Sequence, residues 1–226
     1  MQRLRFLAFR RGLSNRSAGV SPALDQDSFD DRCLHLMIES AQGDLVGTCR
    51  FLIIPAGNDL STCYSAQFYD LGPMRRMQGP KLEIGRFCVA EGTGDPDVLR
   101  IAWAGLTRMV QAIEAVALFG CSSFPGTDPA AHRDAFALLA AHHMPPAGLA
   151  PGKRAGEVVE LAMQPYDRRR AQAQMPGLLR SYLAMGGWVS DHAVVDRDLG
   201  TLHVLTVVDI AAIPPARARL LRADAD

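Results

Sequence analysis

Apolar residues along this chain recur in two rhythms, every second position or every third to fourth, and the switch between them marks out the elements. Residues 2 to 11, QRLRFLAFRR, place Leu4, Leu7 and Phe6 on one face and arginines on another, which predicts a short amphipathic helix. Residues 12 to 28 are rich in Ser, Gly, Asn and Pro and read as a loop. Cys33 to Glu39 and Leu45 to Ile54 are predicted strands joined by a turn at Gln42-Gly43-Asp44, and Thr62 to Tyr69 and Lys81 to Val89 are two more. Asp95 as cap and Pro96 as first residue predict a helix carrying Leu99, Trp103, Leu106, Val110 and Ile113 on one face and running until Gly120. A short strand from Cys121 to Phe124 follows. Asp128-Pro129 repeats the cap signal for a helix through Ala141, which Pro145 and Pro146 end. Glu157 to Met163 predicts a strand, Pro176 to Met185 a helix, and Trp188 to Val195 and Leu202 to Ile210 a final hairpin turning at Asp196 to Gly200. Strands before and between helices indicate an α/β (α+β) chain with a mixed central sheet flanked by helices on both faces.

One strand breaks its own pattern. In KLEIGRFCV, Glu83 and Arg86 stand three apart within an apolar run. Buried charge is costly and usually has a task. On a strand the two positions face opposite ways unless a bulge intervenes, and Gly85 is where a bulge forms most easily. On this segment alone a structural ion pair, a solvated edge strand and a functional site all remain open.

At 226 residues, 48% hydrophobic and 21% charged, the chain fits one soluble domain spanning residues 1 to 226. Its 24 basic and 24 acidic residues cancel, giving no case for nucleic acid. Arginine does cluster locally, at Arg3 to Arg16, at Arg168 to Arg170 with Arg180, and at Arg217 to Arg222, which suits an acidic protein partner, an anionic membrane surface or plain solvated faces. Five scattered cysteines without a CxxC pair argue against a disulfide framework and make the cytoplasm the expected compartment. No run reaches the roughly 20 apolar residues of a membrane span, and LRFLAF is too short for a signal peptide.

Among motifs, no GxSxG elbow, P-loop, HExxH or dinucleotide fingerprint is present. His142-His143 beside Pro145-Pro146 read as a helix end rather than, with His35, as metal ligands, so no metal is expected. Ser122 and Ser123 lack a base nearby in sequence and read as polar strand-end residues. The small residues of Ala90 to Asp95 before a helix start form either a turn or an anion site for one phosphate, with Glu91, Asp95 and Asp97 disfavouring a denser charge.

The blocks FDDRCLHLMIE, LVGTCRFL, YSAQFYDL, LEIGRFCV, DPDVLRIAWAGLTR, FGCSSFPGTDP, DAFALLAAHH and LLRSYLAMGGWVSDHAVVDRDLGTLHVLTVVDI resemble, in this order, the L-ornithine N-alpha-acyltransferases, members of the hemolysin-like branch of the GNAT acyltransferases. A more distant similarity reaches the acyl-homoserine-lactone synthases, whose conserved pattern is matched by Arg5 and Phe9, by Asp27 and Asp30, by Arg50, and by Glu83, Arg86 and Phe87. The resemblance implies a GNAT-like acyl-CoA N-acyltransferase fold whose two central strands splay around a pantetheine arm. It implies transfer of a 3-hydroxyacyl group from acyl carrier protein to the alpha-amine of L-ornithine, giving lyso-ornithine lipid, with no cofactor beyond the carrier's own 4'-phosphopantetheine. Glu83 is then expected to take the amine's proton, with Arg50 and Arg86 positioning it or holding the substrate carboxylate. Arg5, Phe9, Phe87, Ser122 and Ser123 are expected around the substrates, Asp27 and Asp30 at ornithine's side-chain ammonium, and Val89, Gly92, Thr93 and Gly94 at the phosphopantetheine. Peripheral contact with the inner membrane fits an apolar product. Relatives usually carry a strand and some further residues before the first helix, so either the recorded start is too late or the first strand of the fold is missing here. Alternatives are an N-acyl amino acid or acyl-homoserine-lactone-type synthase using another amine, and a non-catalytic carrier- or lipid-binding protein of the same fold.

Overall fold

The structure, a computed structural model, describes residues 1–10, 24–57, 59–93 and 97–225. The predicted cap Asp95, its neighbour Pro96, the candidate Gly94 and most of the predicted loop over 12 to 28 lie outside them. Ten strands occur among the described residues: β1 (Leu34–Glu39), β2 (Leu45–Ile54), β3 (Tyr69–Asp70), β4 (Lys81–Val89), β5 (Ala117–Pro125), β6 (Gly152–Lys153), β7 (Val158–Glu160), β8 (Trp188–Val189), β9 (His192–Asp196) and β10 (Thr201–Asp209). The helices are α1 (Gln2–Phe9), α2 (Asp97–Ala112), α3 (Arg133–His142), α4 (Arg168–Gln174), α5 (Gly177–Ala184) and α6 (Pro215–Ala225). Eight strands form one sheet in the order β1-β2-β4-β5-β10-β9-β7, with β8 also on β10, while β3 and β6 pair separately. This is the GNAT-like mixed sheet with helices that the sequence led us to expect. No helix among the described residues is long and apolar enough to cross a membrane.

The middle of the sheet positions the site. β4 and β5 are its parallel pair, and their ladder runs only from Lys81 to Glu83 against Ala117 to Phe119. Gly120 stands where they part, because a Cβ there would lie 2.1 Å from the Ile84 carbonyl oxygen. Beyond that point the β5-facing backbone edge of β4 has no strand partner among the described residues. On its other edge β4 pairs with β2, and the register slips: Thr48 faces Cys88 and Arg50 faces Gly85, so Arg86 and Phe87 together oppose Cys49. That is the expected bulge, with Arg86 at φ 53° in the left-handed region.

The two sheet faces differ. One buries Cys49, Phe51, Leu82 and Ile84 against Trp103 and Leu106 of α2, Tyr182 of α5 and Leu221 of α6. The other packs Ile54, Phe119, Leu205 and Val207 under Tyr69 of β3 and under Leu60 and Met74, which lie in 3-10 turns, while α1 rests against β2 and β4.

Several boundaries differ from expectation for identifiable reasons. Thr62 to Tyr69 is not a strand but 3-10 turns leading to β3, since the N–H groups of Tyr64 and Ser65 go to the Glu83 carboxylate instead of a neighbouring strand. α2 stops at Ala112, Glu114 turns at φ 51°, and Ala117 to Gly120 belong to β5. The predicted Trp188 to Val195 strand is broken at Ser190, whose hydroxyl donates to the His192 carbonyl. α4 and α6 escaped the pattern. In α1 the expected apolar face is inverted: Leu7 is 46% exposed and Arg5 only 1%.

Candidate functional site

Arg5 turns inward because carboxylates wait for it. Its Nε donates to Asp25 at 2.9 Å and its Nη1 to Asp30 at 2.7 Å. Arg50 on β2 donates to the same Asp30 oxygen at 2.6 Å and grips both oxygens of Asp27. Arg86 on the bulge donates to Asp25 at 2.9 Å and to Asp27 at 3.3 Å. Three guanidinium groups and three carboxylates thus neutralise one another almost out of water, where each partner's loss would strand a buried charge. Burial pushes the Asp25 carboxyl up, but the hydrogen bonds and charges of Arg10, Arg86 and Arg5 outweigh it and hold it down at about 2. Asp27 and Asp30 are lowered in the same way, against their burial. Arg10 extends the cluster outward, joining Asp25 at 2.8 Å to Asp198 in the β9–β10 turn, also at 2.8 Å.

Glu83 belongs to a different arrangement from the one expected. Its carboxylate contacts neither Arg50 nor Arg86; it accepts the N–H of Tyr64 at 2.9 Å and that of Ser65 at 2.6 Å. Arg86 meets Tyr64 at the other end, donating to its hydroxyl at 3.3 Å with the guanidinium 5.1 Å from the ring centroid. Arg50 lies over the same ring at 5.4 Å. Tyr64, which sequence reading passed over, is therefore the hub. Only a contact map could have found it, since it lies in the segment mistaken for a strand.

Where β4 and β5 part, a cavity of about 530 Å³ opens through the sheet. One wall is apolar, built from Ile84, Phe87, Leu178, Leu179 and Tyr182. The other is polar, with Tyr64, Arg86, Cys121, Asp196, Thr201 and His203. Phe9 and Ala8 of α1 also line it. Burial raises the Cys121 thiol to about 12, so it is neutral and no nucleophile.

Of the candidates from sequence, Phe9, Arg86, Phe87, Ser122 and Ser123 line this cavity. Arg5, Arg50, Asp27 and Asp30 stand behind the wall as the ion cluster, and Glu83 as the support of Tyr64. Asp27 and Asp30 are thus committed to arginines rather than turned to the cavity. Val89, Gly92 and Thr93 lie at and beyond the end of β4, away from its lining. His35 and His142 bond to the Asp30 carbonyl and the Tyr166 hydroxyl, and no group of three or more His, Cys, Asp or Glu among the described residues could hold a metal ion.

Comparison with known proteins gives three findings. The family model described as an acetyltransferase (GNAT) domain matches residues 4–104. The L-ornithine N(alpha)-acyltransferase of Rhodobacter capsulatus is 35% identical over 225 residues, covering 94% of this chain and 85% of that protein; the protein of the same name from Agrobacterium fabrum is 32% identical over 205 residues, covering 84% and 68%. A solved CoA-dependent acyl-homoserine lactone synthase superposes with a TM-score of 0.48 at 13% identity over 99% of this chain and 85% of that one, a likeness too remote to carry function.

Proposed function

The chain belongs to the L-ornithine N(alpha)-acyltransferase family, and on that footing we propose that it joins a 3-hydroxyacyl group, delivered as the thioester of acyl carrier protein, to the alpha-amine of L-ornithine. One observation carries the chemistry: the cavity at the parting of β4 and β5 has an apolar wall for an acyl chain and a polar wall for an amino acid. The backbone edge of β4 left open after Glu83 offers N–H and C=O groups to the two amides of a pantetheine arm, which would lie there as an added strand. The arm is substrate here, and the reading invokes no other cofactor.

In this reading the neutral alpha-amine attacks the thioester carbon, the N–C bond forms, the C–S bond breaks, and pantetheine leaves as the thiol. Arg86 holds the acceptor's carboxylate from the polar wall. Glu83 acts at one remove: with both oxygens on backbone N–H groups and no place on the cavity wall, it fixes Tyr64, and Tyr64 fixes Arg86. The exposed arginines Arg168, Arg169 and Arg180 present positive charge to an acidic carrier. Incubation of the purified protein with L-ornithine and a 3-hydroxyacyl group on either acyl carrier protein or CoA, read by mass spectrometry, tests donor and acceptor together. N-acylornithine formed faster from the carrier thioester is expected; no product, or equal use of CoA, overturns the acceptor or the donor assignment respectively.

A further inference from the structure

The far end of the polar wall holds three side chains that the reaction above leaves unused. Asp196 ends β9, Thr201 begins β10 directly opposite it in the register, and His203 follows two residues later, so all three share one face of the sheet. All three line the cavity. Asp196 is 8% exposed, and among the described residues its carboxylate accepts one hydrogen bond, from the Leu199 N–H at 3.0 Å, and pairs with no cation. A carboxylate so placed is stable only if something positive meets it.

His203 is set up as an acceptor. The Tyr69 hydroxyl donates its one proton to the His203 carbonyl at 2.8 Å, so at 3.1 Å from His203 Nδ1 it can only accept, which puts the ring proton on Nδ1. Nε2 is left with a lone pair, and like the Thr201 hydroxyl it is buried without a partner among the described residues. Burial holds the imidazole down at about 4, so it stays neutral and does not repel a cation. The Asp196 charge is felt by Tyr64, Cys121 and His203, so it acts on the same wall as Arg86.

Resting on the acceptor reading above, we propose that Asp196, Thr201 and His203 form a subsite for a primary ammonium on the acceptor's side chain. Such a group has three N–H donors and no acceptor, and the subsite offers a carboxylate, a hydroxyl and an imidazole lone pair. Asp27 and Asp30, each already bound to arginine, do not offer this. The subsite makes the enzyme selective for diamino acids over neutral ones of the same length.

The test compares kcat/KM for L-ornithine and L-norvaline, which has the same carbon skeleton without the terminal ammonium, in the wild type, Asp196→Asn and Thr201→Val. The wild type should prefer ornithine by about 100-fold, as a site built around polar contacts rejects a substrate lacking them. Asp196→Asn should reduce the preference to within about threefold, and Thr201→Val should lower it about tenfold, by loss of ornithine turnover alone. If both variants, folded by circular dichroism, keep the wild-type preference, or lose both substrates equally, the subsite assignment is overturned. A wild type that acylates neither amine overturns the acceptor reading itself.

Discussion

Glu83 and Arg86 do not touch each other; they grip the same residue, Tyr64, from two ends. Glu83 holds its backbone N–H and Arg86 its hydroxyl and ring. The bulge at Arg86 makes this possible, by bringing to one side two positions that a regular strand would send to opposite faces. Glu83→Gln presents an amide to N–H groups that need an acceptor, so kcat/KM should fall about tenfold and stability by about 1–3 kcal/mol. The pH–rate profile should keep its shape. Loss of its acidic limb in this variant would instead make Glu83 the base.

Arg50 joins the half-buried Asp27 to the buried Asp30. Arg50→Ala should cost about 3–5 kcal/mol in urea unfolding, because Asp30 keeps its burial and loses a partner. The double variant Arg50→Met with Asp30→Asn should recover part of that loss, and equal loss in both would show that packing, not charge, is at stake. Arg50→Lys should not rescue fully, since an ammonium cannot grip both Asp27 oxygens as the planar guanidinium does.

Gly120→Ala would set a Cβ against the Ile84 carbonyl, backbone against backbone. With no flexible side chain to give way, β4 and β5 must move apart, and activity should fall at least tenfold along with a lower Tm. Unchanged activity in this variant would mean that the spacing at the point of parting is not critical.

Acid should weaken the fold in two steps. His203 is held at about 4 against an ordinary 6.5, so the unfolded chain takes up its proton first, and the associated stability, full above 6.5, is lost as pH falls toward 4. Asp25 is held at about 2 against 3.8, and its contribution, full above 3.8, is lost as pH falls toward 2, with Asp27 and Asp30 acting in the same direction. Thermal midpoints measured from pH 7 to 3 should fall throughout. In His203→Phe the decline between 6.5 and 4 should flatten, and an unaltered slope there would rule out this origin.

The sequence located β2 and β4 to the residue, because a near-continuous apolar run bounded by turn residues marks a buried central strand from local pattern alone. It also marked Gly85 as the neighbourhood of a bulge. What it could not carry was direction of charge. Arg5 looked like the polar side of a surface helix, and its burial depends on Asp25 and Asp30, twenty or more positions away. Tyr64 was hidden because its segment has strand-like composition while its N–H is spent on a side chain. Asp196, Thr201 and His203 read as a turn and the start of a strand. They share one face only once β9 and β10 fold into register.

Arg10 carries the ion cluster across to the turn between β9 and β10. It stands next to Phe9 and Asp198 stands next to Leu199, both of which line the cavity, so the Asp25–Arg10–Asp198 bridge ties the end of α1 to the β9–β10 turn beside it. Because Asp198 is exposed, salt screens this tie, so turnover should change with ionic strength in the wild type and stay level in Asp198→Asn.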